Sequence, residues 1–142
     1  MVPKANNMEI SIHNRLEEMS TIVAMVEQFG AKYAISNLVL NDLNLVLDEV
    51  VSNIISYGYS DGTAGHIKIR LTYQSQEISA EIQDDGIPFD PLAAAPIDTT
   101  GSLQSRRIGG LGIRFMKELM DKVTYARVGN ENRLILIKKM PV

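Results

Sequence analysis

"HIKIRLTYQ" at residues 66–74 and "EISAEIQD" at 77–84 alternate apolar and polar residues in a period of two around the polar junction Gln74 to Gln76. That period turns one face of each run to a core and the other to solvent, so the pair reads as a β-hairpin. The flanking sequence changes period. Upstream, Leu16, Met19, Ile22, Val23, Val26 and Phe29 recur at helical spacing, with Gly30 expected to close the helix. A second helix is expected to open near Asn37 to Asn41, where either asparagine could cap, and to run through Leu43, Leu47, Val50, Val51 and Ile54 to Gly58. "MEISIHN" at 8–14 reads as a short edge strand through Ile10 and Ile12.

Downstream, "DGIPFDPLAAAPIDTTGSLQSRR" at 85–107 has prolines and no sustained periodicity, and a connection of that length inside a domain is usually functional or mobile. "GGLGIRFMKELMD" at 109–121 starts a helix on glycines, with Ile113, Met116, Leu119 and Met120 on its apolar side. "KVTYARV" at 122–128 and "NRLILIKK" at 132–139, joined by "GNE", supply a last hairpin. The order β, α, α, β, β, loop, α, β, β, with strands joined mostly as hairpins, favours an α+β sandwich with helices layered on one face of a sheet.

The chain of 142 residues suits one domain, taken as 1–142, because no repeat or linker divides it. With no cysteine, a disulfide framework and a thiolate zinc site are excluded, and a reducing, cytoplasmic location is expected. No stretch approaches the ~20 apolar residues of a membrane span. Fourteen basic against seventeen acidic residues leave a net charge of -3, with the basic residues scattered, so neither membrane nor nucleic acid is expected as a partner.

Three motifs carry chemistry. Glu49 and Asn53 lie four apart, so a helix stacks them on one face. A carboxamide oxygen there can ligate Mg²⁺, and a carboxylate can orient or deprotonate a nucleophile. Asp84 ends a strand and can accept a hydrogen bond from an exocyclic amine such as that of adenine, while Gly86 lets backbone come close to a ligand. Gly109, Gly110, Leu111 and Gly112 enter a helix whose free N–H groups suit phosphate, and the basic pair Arg106 and Arg107 stands just before them. Taken singly, each also reads as ordinary structure: a polar helix face, a plain turn, a flexible helix start, a solvated basic dipeptide. His13 and His66 lie in no pattern of metal-ligand spacing and read as surface residues.

In this order and spacing the three motifs resemble the nucleotide site of the GHKL ATP-binding superfamily: "DEVVSNIISYGY" looks like its N box, "DDG" its G1 box and "GGLG" its G2 box. Within it, nearly the whole chain is similar to the small bacterial anti-sigma factor serine kinases of the RsbW and SpoIIAB type. The resemblance implies a Bergerat-type sandwich with a mixed, mostly antiparallel sheet. It also implies a site that takes ATP and Mg²⁺, with Glu49 catalytic, Asn53 on the metal, and Asp84, Gly86, Arg107 and Gly109 to Gly112 on the nucleotide. The implied activity is phosphorylation of a serine on a STAS-domain anti-sigma-factor antagonist, alternating with sequestration of a sigma factor, by a homodimer. A weakly catalytic or non-catalytic module that uses nucleotide only to choose partners is the alternative. Tyr57 stands where the family commonly has histidine, Pro88 replaces a second glycine of the larger superfamily's G1 box, and the lid from Pro91 to Gly109 is short.

Overall fold

The computed structural model describes residues 6–60, 62–92 and 116–140. The described strands and helices are β1 (Asn6–His13), α1 (Met19–Lys32), α2 (Asn37–Tyr57), β2 (His66–Gln74), β3 (Glu77–Asp84), β4 (Lys122–Val128) and β5 (Glu131–Lys139), with a 3-10 turn at Leu16–Glu18 leading into α1 and a helical turn at 116–119 before β4. The strands form one five-stranded sheet in the order β1-β2-β3-β5-β4. All of its pairings are antiparallel, the far end of the mixed, mostly antiparallel range expected.

The alternation read from the sequence is what builds the sheet. Ile67, Ile69 and Leu71 of β2, Ile78, Ala80 and Ile82 of β3, and Leu134 and Leu136 of β5 are all buried, and they share one core with Phe29 of α1 and Leu43, Val46, Leu47 and Val51 of α2. Residues of the opposite phase point away from the helices. There Arg70 of β2 reaches Glu9 of β1 at 2.8 Å and Glu81 of β3 at 3.9 Å, a partly exposed cluster that holds register more than it adds stability.

Two helix boundaries differ from expectation, each for a local reason. Helix α1 runs through Gly30 to Lys32, because Gly30 is a packing notch and no stop: a Cβ there would lie 2.3 Å from Cδ1 of Leu40 on α2. Neither asparagine caps α2. Ser36 does, its extended backbone letting Oγ accept from the Val39 N–H at 3.4 Å.

The β2–β3 turn places Ser75 at φ 53° and Gln76 at φ 64°, the left-handed pair that a two-residue hairpin needs and that glycine or asparagine adopts at least cost. Gln76→Gly is therefore expected to raise unfolding stability by about 1 kcal/mol in urea titration, since the backbone N–H of Met140 bonds the residue 76 carbonyl and not the side chain. No shift of the urea midpoint would show that this turn carries no strain.

Candidate functional site

Helix α2 ends against the turn that follows β3, and that junction forms the site. Gly58 closes the helix, and its carbonyl accepts from the Ile87 N–H at 2.9 Å. Gly86 sits directly beneath: a Cβ there would lie 2.4 Å from the Gly58 carbonyl oxygen, so only glycine permits this crossing of two backbones. Gly86 thus admits the neighbouring backbone of Gly58 at this junction.

Beside the junction lies a cavity of about 140 Å³, close to the size that a single aromatic ring occupies. Val50, Ile54, Phe89, Met116 and Leu134 give it apolar walls, and Asn53, Asp84, Tyr125 and Asn132 supply its polar atoms. Asn53 and Asp84, 31 positions apart in sequence by their numbers, therefore converge on one space. Glu49, one turn earlier on α2, is half-buried and does not line the cavity. Tyr57 and Pro91 line it as well.

The two adjacent aspartates have opposite fates. Asp84 is 4% exposed, and its Oδ1 accepts from the Gly86 N–H at 2.9 Å and from Asn132 Nδ2 at 3.0 Å. Both bonds fall on one oxygen, which leaves Oδ2 as the acceptor available to a ligand. Burial pushes its carboxyl above the usual range, against the pull of those hydrogen bonds. Asp85 is exposed and turned the other way, where Oδ1 accepts from the Tyr59 hydroxyl at 2.7 Å and the His66 N–H at 3.0 Å. Its slight burial would raise its pKa, but these bonds outweigh that and leave it lowered. Tyr59 responds in turn: burial, then the bond to Asp85, push its hydroxyl far above the usual range.

His13 and His66 are largely exposed, as expected, their rings 5.2 Å apart and each facing a carboxylate, Glu18 at 3.4 Å and Asp85 at 4.0 Å. Among the described residues no group of three or more His, Cys, Asp or Glu side chains could hold a metal ion. Asn53, whose side chain lines the cavity, offers one neutral oxygen, which fits Mg²⁺ only as an ion carried mainly by phosphate and water. Arg106, Arg107, Gly109, Gly110, Leu111 and Gly112 lie outside the described residues.

Three site residues escaped the sequence reading. Asn132 is 5% exposed in the cavity floor, Tyr125 donates its hydroxyl to Asn132 Oδ1, and Arg127 Nη1 donates to the Gly86 carbonyl at 2.8 Å. A polar residue on the inward phase of "NRLILIKK" was the available signal, but Ile135 and Ile137 make the opposite phase equally apolar, so the alternation could not say which side faces in.

A small α+β sandwich with an apolar, acid-floored cavity between a helix end and an antiparallel sheet has the form of a small-molecule binding domain. The family model of the histidine kinase-like ATPase domain matches residues 12–138, and the chain belongs to that family. It is 33% identical over 94 residues to the serine/threonine-protein kinase BtrW of Bordetella bronchiseptica, a match spanning 66% of each chain. It is 23% identical to the anti-sigma F factor of Clostridium acetobutylicum over 134 residues, 94% of this chain and 93% of that protein. The crystal structure of the RsbU and RsbW domains of a Mycobacterium tuberculosis protein superposes on 94% of this chain and 32% of its own with a TM-score of 0.67 at 14% identity, a likeness of fold. No helix among the described residues is long and apolar enough to cross a membrane.

Proposed function

We propose that the chain is an ATP- and Mg²⁺-dependent protein serine kinase that phosphorylates a STAS-type anti-sigma-factor antagonist and, in its other state, sequesters a sigma factor. The observation that carries this reading is the convergence of Asn53 and Asp84 on one apolar cavity. Asp84 Oδ2 reads the six-amino group of adenine, and Asn53 holds the magnesium that neutralises phosphate charge. Phosphoryl transfer asks a protein mainly for positioning and charge stabilisation, so Glu49, one turn beyond Asn53, completes the equipment by orienting the acceptor serine. The relatives' names, an anti-sigma F factor and a serine/threonine-protein kinase, support both halves of the function. Arg107 and the glycines at 109, 110 and 112, with Leu111, complete the phosphate side.

Titration calorimetry with ATP and GTP, with and without Mg²⁺, followed by transfer of labelled γ-phosphate to STAS proteins encoded beside this gene, tests the proposal. ATP binding that strengthens with Mg²⁺, and label on a serine, is the expected result. Equal affinity for ATP and GTP, or no heat with either, removes the adenine-reading role of Asp84.

One observation favours a second reading. Glu49 does not line the cavity, which suits a module that binds nucleotide to select partners without transferring phosphate. Such a module retains different partners with ATP and with ADP in pull-downs while no label reaches any serine.

A further inference from the structure

The geometry points to a metal site away from the cavity, made by His13 and His66 at the end of the β1–β2 ladder: two imidazoles placed for one tetrahedral late divalent ion, of which Zn²⁺ is the natural occupant. These are the chain's two histidines, and it has no cysteine. They stand 53 positions apart in sequence by their numbers, and they meet because they are Cα partners in the antiparallel register of β1 and β2.

The ring spacing carries the argument. The two ring centroids are 5.2 Å apart. Zinc bonds an imidazole nitrogen at about 2.0–2.1 Å, and that nitrogen lies about 1.15 Å from its ring centre, so each centre stands about 3.2 Å from the ion. Two such arms at a tetrahedral angle set the centres about 5.2 Å apart, whereas the right angle of a square-planar or octahedral ion sets them about 4.5 Å apart. Turning of the rings therefore closes them on a tetrahedral ion with little change in their spacing. Both side chains are open to solvent, 57% and 66% exposed, so an ion can reach them.

The outer partners of such a site are already in place. Metal-bound histidine usually turns its other ring nitrogen to a carboxylate, which fixes the tautomer and raises the basicity of the ligating nitrogen. His13 Nδ1 faces Glu18 Oε2 at 3.4 Å and His66 Nδ1 faces Asp85 Oδ2 at 4.0 Å, which leaves Nε2 of each ring for the ion. Each carboxylate is anchored by the backbone of the histidine it serves: Glu18 Oε1 accepts from the His13 N–H at 3.1 Å, and Asp85 Oδ1 from the His66 N–H at 3.0 Å. The Tyr59 hydroxyl holds Asp85 from the other side. One exposed histidine beside a carboxylate is ordinary surface; two of them, register partners at this spacing, make a chelate. Among the described residues no third His, Cys, Asp or Glu side chain joins them in a metal-binding group, so the remaining positions of the ion fall to water or to a donor from another molecule. A bound ion ties β1 and the Leu16–Glu18 turn to β2 and, through Asp85, to the turn that follows β3.

Calorimetric titration of the tag-free chain with Zn²⁺, beside His13→Ala, His66→Ala and Glu18→Gln, tests the site. One Zn²⁺ per chain is expected, with affinity at least about tenfold weaker after loss of either imidazole and about tenfold weaker in Glu18→Gln, the usual effect of losing an outer-shell partner. Excess Mg²⁺ is expected to leave Zn²⁺ binding unchanged, because Mg²⁺ takes oxygen donors and imidazole does not suit it. Co²⁺ serves as a coloured stand-in on the wild-type chain, where a tetrahedral site gives the intense visible absorption that six-coordinate Co²⁺ lacks. Zn²⁺ affinity that is unchanged in both histidine variants places the ion on surface carboxylates and overturns the inference. Absence of Zn²⁺ binding to the wild-type chain, or a pale six-coordinate Co²⁺ spectrum, overturns it as well.

Discussion

Glu49→Gln is expected to slow transfer of the γ-phosphate to a protein serine by about 10²–10⁴-fold while leaving ATP affinity nearly unchanged. The carboxylate sits about one turn before Asn53 on α2, about 6 Å along the axis, half-buried and outside the cavity. Its side chain has no hydrogen-bond or ion-pair partner among the described residues, and Ser52 bonds its backbone carbonyl only. Glutamine keeps the shape and can still accept a hydrogen bond, but it loses the charge and the basicity that an attacking hydroxyl would use. A binding role is therefore separable from a chemical one. Single-turnover transfer assays beside calorimetry measure both, and transfer at the wild-type rate would remove Glu49 from the chemistry and leave the partner-selecting reading in place.

Asp84→Asn is expected to weaken ATP binding by about 1.5–3 kcal/mol, the usual worth of a hydrogen bond to a charged group, and to stabilise the empty protein near neutral pH. The carboxyl's pKa is raised by burial. A raised folded-state value means that Asp84 favours folding while protonated and loses that contribution as pH climbs from the ordinary carboxylate range through the raised one. Asparagine carries no such cost, and its Oδ1 can still accept from Gly86 and Asn132. The variant's thermal midpoint should exceed the wild type's above that window and converge with it in acid. The same titration governs binding: wild-type affinity for ATP should fall as pH drops through the raised value, because the protonated acid no longer accepts at Oδ2. Parallel loss of stability and affinity in the variant would show that Asp84 is a structural residue.

Much of this was legible in the sequence, and the limits have physical causes. The helix period in Leu16 to Phe29 and the strand period in 66–84 gave the right elements because each pattern is generated by neighbours in the chain. Gly30 was misread because a glycine that stops a helix and one that admits Leu40 look the same until the second helix is in place. Asn53 and Asp84 could be picked out because each belongs to a local pattern, a helical i, i+4 pair and a strand-ending turn, and both line one cavity, whereas Glu49 lies outside it. Asn132 could not, since its relation to Asp84 spans 48 residues and depends on β5 entering the sheet between β3 and β4. Two consecutive hairpins could equally have placed β4 beside β3, which would have put another residue in the cavity floor.

That insertion of β5 has a thermodynamic consequence. The cavity draws Val50, Asn53 and Asp84 from the chain before the β3 turn and Tyr125, Asn132 and Leu134 from the last hairpin, and only the β3–β5 ladder joins the two sets within the sheet. A nucleotide seated there bridges them, so its binding free energy opposes their separation. At a hundred times its dissociation constant a ligand adds about 2.7 kcal/mol to whatever holds such halves together. Nucleotide concentration then acts on the two parts of this sheet as it would on the association of two subunits, with the chain itself as their tether.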